Sequence, residues 1–280
     1  MPAPPICAWP NGSRATTCRS ARPWRCKAAC PACSTASGWR GRVALVTGGS
    51  SGLAIARALH EAGAAVVLSA RREAALAEAV AALGSRAAAC VGDVADRAAL
   101  TALADRAAKP FGPPDIVVHA AGLNARQPWE VVTDAAWDVQ IEAMLAAPFF
   151  LLRLLLPAMR ERGWGRVLNI TSLQLVRAMP DSIPYGAAKG GVAQLTRAMA
   201  EAWGRFGIAC NAIAPGFFPT GLTAPVFADT ARAERLAVQT FLGRNGRLED
   251  LQGAALFLCS PAADYMTGQV LFVDGGFTAK

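Results

Sequence analysis

Short runs of β-branched and apolar residues recur at residues 43–47, 65–69, 87–91, 116–119, 167–171, 208–213 and 270–273. They show little period-2 alternation with polar residues, so each strand is expected to be buried on both faces. Between them lie alanine- and leucine-rich stretches of helical length. This alternation predicts a single doubly wound, Rossmann-type α/β domain over residues 43–280, with a parallel sheet of about seven strands and helices on both faces. In such sheets ligands bind at the carboxyl ends of the strands, where the turn after the first strand meets a helix N-terminus.

The chain has 280 residues, 53% hydrophobic and 17% charged, enough for one large core. Residues 1–42 carry seven basic residues and no acidic one, so of the net charge of +8 only +1 belongs to the remainder. A nearly neutral body argues against a nucleic-acid partner. That leading segment also holds five of the eight cysteines, several prolines and no hydrophobic period, and is expected to be disordered. Cys26, Cys30 and Cys33 have the spacing with which radical enzymes hold an iron–sulfur cluster, but those enzymes need a large barrel after the motif. A chance match in a cysteine-rich tract is the better reading. An Arg-rich, acid-free start also resembles an organelle transit peptide, and a mis-assigned start codon gives the same composition. Cys90, Cys210 and Cys259 each sit in an apolar run and read as core thiols of a reduced, cytoplasmic protein. The most apolar run, residues 144–156, contains Pro148 and Arg153 and falls short of the about 20 residues that span a bilayer. No membrane partner is expected, and the run reads as a buried or interface helix.

The turn after the first strand, Thr47-Gly48-Gly49-Ser50-Ser51-Gly52-Leu53, has two readings. From Gly48 it fits the hydrolase elbow G-x-S-x-G, and from Thr47 it fits most of a dinucleotide loop. An elbow lies well inside its sheet and needs a downstream histidine and an acid. The chain has only His60, in the helix just after the turn, and His119, at a strand end, which makes no convincing triad. A phosphate cradle is preferred: small residues let the backbone approach a pyrophosphate, and the helix start supplies free N–H donors and a positive dipole end.

Tyr185 and Lys189, at i and i+4, stack on one face of a helix whose first turn suits Pro184. With two tyrosines in the chain, a Tyr-x3-Lys arises by chance with an expectation of about 3%. A lysine ammonium near a phenol favours phenolate, which predicts a lowered Tyr185 pKa and a tyrosine usable in proton transfer. Ser172 follows the strand RVLNIT, where its hydroxyl can hydrogen-bond a substrate oxygen.

Thr47-Gly48-x3-Gly52, the set Ser172, Tyr185 and Lys189, Asn211 to Gly216 (NAIAPG) and Gly268 to Gly276 (GQVLFVDGG) together resemble the short-chain dehydrogenase/reductase family across residues 41–280. The resemblance implies hydride transfer between a nicotinamide and a ketone or secondary alcohol, without a metal. Tyr185 would be the general acid or base, Lys189 would hold the nicotinamide ribose, and Ser172 would polarise the carbonyl. Gly48, Ser50, Ser51, Gly52, Leu53, Ala120 and Gly122 would meet the cofactor. Asp93 and Val94 match the adenine position, and Pro215, Gly216 and Thr220 match the loop beside the nicotinamide. At the end of the second strand an acid would accept from an adenosine ribose hydroxyl, but Ala70 stands there, followed by Arg71 and Arg72. Arginine pairs with a 2′-phosphate, so NADP is favoured over NAD; alternatively both arginines open a solvated helix. The resemblance further implies a homo-oligomer, dimer or tetramer, paired through the helices at residues 144–156 and 185–203.

Three positions depart from the family pattern. Two residues are missing after Gly52, so either the loop is shortened or the helix starts later; a two-residue loss turns a helix by about 200°. The supporting Asn-Asn-Ala-Gly reads His119-Ala120-Ala121-Gly122, and the proton-relay asparagine falls on Met144. Methionine cannot anchor a water chain, so turnover is expected to be lower than in a Met144→Asn variant. The segment 217–247 holds Phe217, Phe218, Leu222, Val226, Phe227 and Phe241, which either line a pocket or pack on each other. Arg244 and Arg247 either meet an acidic substrate group or are solvated. The loop resembles the gluconate 5-dehydrogenase branch, and the whole is also similar to 3-oxoacyl carrier-protein reductases. A second class of reading is a nucleotide-binding protein of weakened activity on the same fold.

Overall fold

All seven expected strands form: β1 (Val43–Thr47), β2 (Ala65–Ala70), β3 (Ala87–Val91), β4 (Ile116–His119), β5 (Gly165–Ile170), β6 (Ile208–Pro215) and β7 (Val270–Val273). They lie parallel in the order β3-β2-β1-β4-β5-β6-β7 in a computed structural model that describes residues 39–280. Residues 1–38 of the leading segment, with their expected disorder and the Cys26-Cys30-Cys33 motif, lie outside that range.

Every residue of β1 and β5 is buried, as strands apolar on both faces require. Side chains alternate: Ala44 and Val46 join the core on one face, Val43 and Leu45 the core on the other. The first core is closed by α1 (Ser50–Glu61), α2 (Glu73–Leu83) and, late in the chain, Gln252–Cys259. The second is closed by α3 (Leu100–Ala108) and by the helices Ala147–Arg162 and Ile183–Trp203. A fully buried leucine such as Leu45 contributes about 2 kcal/mol.

The domain starts earlier than residue 43. Trp39 is buried in the first core, and Arg42 lies 3.8 Å from the centre of the Trp164 ring and 3.2 Å from Asp115.

The apolar run at 144–156 is also embedded in a longer helix than its sequence suggests. α4 (Asp134–Ile141), a π-helical turn (Glu142–Ala146) and α5 (Ala147–Arg162) join into one helix, Asp134–Arg162, of 29 residues. The whole helix is long and apolar enough to cross a membrane by length and composition alone, although the 13-residue run within it is not. Its Leu151, Leu152, Leu155 and Met159 are buried against the sheet, and a core helix packed this way reads as apolar throughout.

The register sets Thr47 beside His119 and His119 beside Asn169. The ends of β1, β4 and β5 therefore lie side by side where the strand order reverses, and a crevice opens there. After β5 come α6 (Ile183–Trp203), then α7 (Ala224–Phe227) and α8 (Thr230–Val238) in the segment beyond β6, and α9 (Gln252–Cys259) before β7.

Candidate active site

The glycine turn is short. Gly49 caps α1, which begins at Ser50, so the two-residue loss shortens the loop rather than delaying the helix. Gly48 has φ +96, and a Cβ on it would lie 2.5 Å from the backbone of Ala120 and Ala121. No side chain caps α1 and no acidic residue sits in its first turn, leaving its N–H groups and positive end to a ligand. Gly52 sits inside the first turn under Thr47 O, and Leu53 packs on the core. We expect Gly48→Ala to cost about 2 kcal/mol through positive φ and backbone overlap. That would lower the melting temperature by about 4–8 °C in a scanning experiment.

A cavity of about 900 Å³ opens over the strand ends. Gly48, Ser51, Arg71, Asp93 and Val94 line it beyond β1, β2 and β3, and Ala120 and Gly122 line it beyond β4. Ser172, Tyr185 and Lys189 face it from β5 and α6, and Pro215, Gly216 and Thr220 from the end of β6. The lining fits a dinucleotide. A Cβ on Gly49 would meet no atom within 4 Å, so the backbone there is bare to the cavity. Ser69 Oγ, buried at the end of β2 on the same lining, has no hydrogen-bond partner among the described residues. Arg71 is largely exposed, with Nη1 3.7 Å from Asp93, whose carboxylate also accepts from Ala95 N–H.

Tyr185 and Lys189 are both buried on α6. Lys189 Nζ donates to Ile170 O at 2.6 Å and lies 5.7 Å from the centre of the Tyr185 ring. Burial without a carboxylate pushes the ammonium down to about 8. Burial also raises the Tyr185 phenol above its ordinary range; the Ser172 hydroxyl and the positive charge of Arg126 oppose this without overcoming it. The expectation that Lys189 lowers the phenol is thus corrected for the chain by itself: the ammonium is directed at a carbonyl, and desolvation outweighs the remaining charges. Ser172 Oγ accepts from Gln174 N–H at 3.2 Å, which leaves its own proton to donate.

Met144 lies in the π turn, buried against Gly122. With Thr47, His119 and Lys189 it borders a void of about 10 Å³, close to the room one water needs. His119 is buried with Nε2 unpartnered among the described residues, and burial takes its ring down to about 3, so it is neutral. Met144→Asn puts an amide in this void. A several-fold higher kcat is expected despite some loss of stability, and equal rates at saturating cofactor would count against it.

The segment 217–247 divides between the two expectations for it. Phe218 and Leu222 line the cavity, whereas Val226 is buried in the body, Phe217 meets Phe277 edge-on and Phe241 is exposed. Arg244 is paired with Asp250, and Arg247 N–H donates to the same carboxylate. Cys90, Cys210 and Cys259 are buried, and burial raises all three thiols, the latter two to about 12. One cavity residue absent from the sequence reading is Arg126, on the loop after β4. Its signal was available: a lone arginine four residues beyond Gly122, at the carboxyl end of a central strand.

A family model described as enoyl-(acyl carrier protein) reductase matches residues 47–278. Gluconate 5-dehydrogenase of Gluconobacter oxydans is 40% identical over 245 residues, covering 86% of this chain and 96% of the relative. Cis-4-hydroxycyclohexanecarboxylate dehydrogenase of Sinomonas cyclohexanicum is 41% identical over 243 residues, covering 85% and 97%. Among solved structures, gluconate 5-dehydrogenase from Burkholderia cenocepacia, in complex with NADP and tartrate, superposes with a TM-score of 0.83 at 38% identity over 88% of this chain and 99% of that one. The chain belongs to the short-chain dehydrogenase/reductase family of oxidoreductases acting on CH–OH groups, in its gluconate 5-dehydrogenase branch.

Proposed function

We propose that this protein is an NADP-dependent oxidoreductase that interconverts a ketone and a secondary alcohol, with Tyr185 as acid or base at the substrate oxygen. The observation that carries this reading is the meeting of Ser172, Tyr185 and Lys189 at one part of a cavity whose other part is bare helix N-terminus and arginine. When bound, the cofactor supplies or takes up hydride. Gly48, Gly49 and Ser51 would hold its pyrophosphate, and Arg71 its 2′-phosphate, since no acid at Ala70 opposes one. The NADP complex of the Burkholderia cenocepacia relative supports the same choice. Ser172 would donate to the substrate oxygen while Tyr185 delivers the proton, and Lys189 would orient the ribose.

A neutral phenol is ready to donate, so reduction is the direction the buried tyrosine favours near neutral pH. Pairing of subunits along α5 belongs to the same proposal, and Leu154 stands exposed on that helix as such pairing requires. NADPH and NADH oxidation over a panel of ketones, keto acids and sugar derivatives tests the reading. NADPH-preferring turnover, lost in Tyr185→Phe, is the expected result. Tight NADPH binding without turnover on any member would instead mark a nucleotide-binding protein.

A further inference from the structure

On one face of the sheet, four adjacent strands end in polar residues. Register sets Ser69, Thr47, His119 and Asn169 side by side on β2, β1, β4 and β5. The residues two positions before them, Val67, Leu45, Val117 and Val167, belong to the second core, so strand alternation turns all four polar side chains toward the face that α5 and α6 cover. All four are buried. The Asn169 amide donates to Thr196 Oγ1 on α6 at 2.9 Å, and Thr196 Oγ1 donates to Val192 O. Ser69 Oγ, His119 Nε2 and Asn169 Oδ1 have no partner among the described residues. Buried polar atoms are nearly always hydrogen-bonded, so three open ones in a single row call for a physical cause.

The void of about 10 Å³ lies against this row. The side chains around it that form strong hydrogen bonds are those of Thr47, His119 and Lys189. Empty cavities in proteins are apolar, whereas a space of this size with several polar partners holds a water. The donors and acceptors match one water. Lys189 Nζ spends one proton on Ile170 O and keeps the others to donate. Thr47 Oγ1 gives its proton to Val118 O at 3.4 Å and keeps lone pairs to accept. His119 is 6% exposed and neutral, and in the tautomer protonated at Nδ1 its Nε2 accepts. Met144 on the same wall offers a thioether, only a weak acceptor.

We propose that this void is a built water site, in which one buried water donates to His119 Nε2 and Thr47 Oγ1 and accepts from Lys189 Nζ. His119 is thereby a positioning residue: it fixes the water that gives the ammonium a second hydrogen bond and keeps it charged. The consequence for catalysis rests on the oxidoreductase reading, whereas the site itself does not. The charged and titratable groups around α6 leave this task to the water. Tyr185 on the same helix is a neutral phenol under the positive charge of Arg126, and Cys210 on β6 is held as a thiol by burial. Glu142 in the π turn is paired with Arg97, and Asp134 and Asp138 on α4 are exposed. Among the described residues no carboxylate makes an ion pair with Lys189.

Urea unfolding of the cofactor-free protein from about pH 7 to 10.5 reads the ammonium, since stability rises with pH where the unfolded chain alone holds the lysine proton. His119 itself is neutral in the fold there and largely so in the unfolded chain. His119→Phe, which keeps a ring and loses the acceptor, should begin the rise about half a unit to one unit lower. His119→Gln, whose amide reaches the position of Nε2, should stay with wild type. Thr47→Val should shift the rise the same way by less, and adding it to His119→Phe should bring no further shift, because both act through one water. In NADPH-driven ketone reduction, His119→Phe should lower kcat about three- to fivefold at pH 8 and less than about twofold at pH 6.5, with the KM for NADPH unchanged. Crystals that resolve ordered water should show one within hydrogen-bond reach of both His119 Nε2 and Lys189 Nζ. A void without that water, an unshifted rise in His119→Phe, or an equal shift in His119→Gln would each overturn the proposal. Should His119→Phe not fold, Thr47→Val and the crystals decide. Should no ketone be reduced at all, the oxidoreductase reading fails, while the unfolding curves and the crystals still decide the water site.

Discussion

Tyr185→Phe is expected to lower kcat for ketone reduction by about 10²- to 10⁴-fold, the range for removing a positioned proton donor. NADPH affinity should stay within about twofold, because the ring and its packing on α6 persist. The argument is local. Tyr185 is 7% exposed, and its hydroxyl is held in the protonated form by burial. Without it the carbonyl oxygen would retain Ser172 as a donor and gain no proton from the protein. Loss of rate with binding preserved separates chemistry from cofactor capture; comparable losses in both would mean that the phenol supports structure instead. Wild type adds a second check. Since the phenol titrates above its ordinary range, reduction should show no loss from this group near neutrality.

The fold was legible because a parallel sheet buried on both faces leaves a simple record. Each of the seven strands appears within about two residues of its apolar run, and the crevice follows from strand order. The residues lining the crevice were legible where the chain enters it at a strand end, as at Ser172, Asp93 and Pro215. Three features were not. Trp39 lies in a segment whose composition suggested disorder, yet a single indole can anchor to a preformed core. The helix from Asp134 to Arg162 is longer than its apolar run because Asp138, Gln140 and Glu142 break the apolar pattern before Met144. Arg126 is placed by two hydrogen bonds, through Asn124 to Ser182, residues 58 apart in sequence that no local pattern connects. The direction of the phenol's shift is not legible in the sequence for a related reason: i, i+4 spacing brings Lys189 near Tyr185 but does not say that its ammonium points to Ile170 O.

Lys189→Met should expose a conflict between activity and stability at one side chain. The ammonium is buried without a counter-ion among the described residues and is pushed down from its usual 10.5 to about 8, which amounts to about 3 kcal/mol against the charged form at neutral pH. Its bond to Ile170 O returns about 1 kcal/mol of that. Methionine fills similar space without charge, so the variant is expected to be roughly 1–2 kcal/mol more stable than wild type at pH 7 in urea unfolding. The pH dependence carries the sign. Between pH 8 and 10.5 the unfolded chain holds the lysine proton and the folded chain has released it, so wild-type stability rises with pH through that window, by at most about 1.4 kcal/mol per unit. Lys189→Met should lose this rise. Its kcat should fall about 10²- to 10³-fold, because nothing else at that position can hold a ribose hydroxyl or place a positive charge beside the site. Wild-type reduction should also decline as pH passes about 8 and the ammonium discharges, an inflection absent from the variant's residual activity. A variant both slower and less stable at pH 7 would show that the buried cation is held by partners other than Ile170 O, and the cost assigned to its burial would be withdrawn.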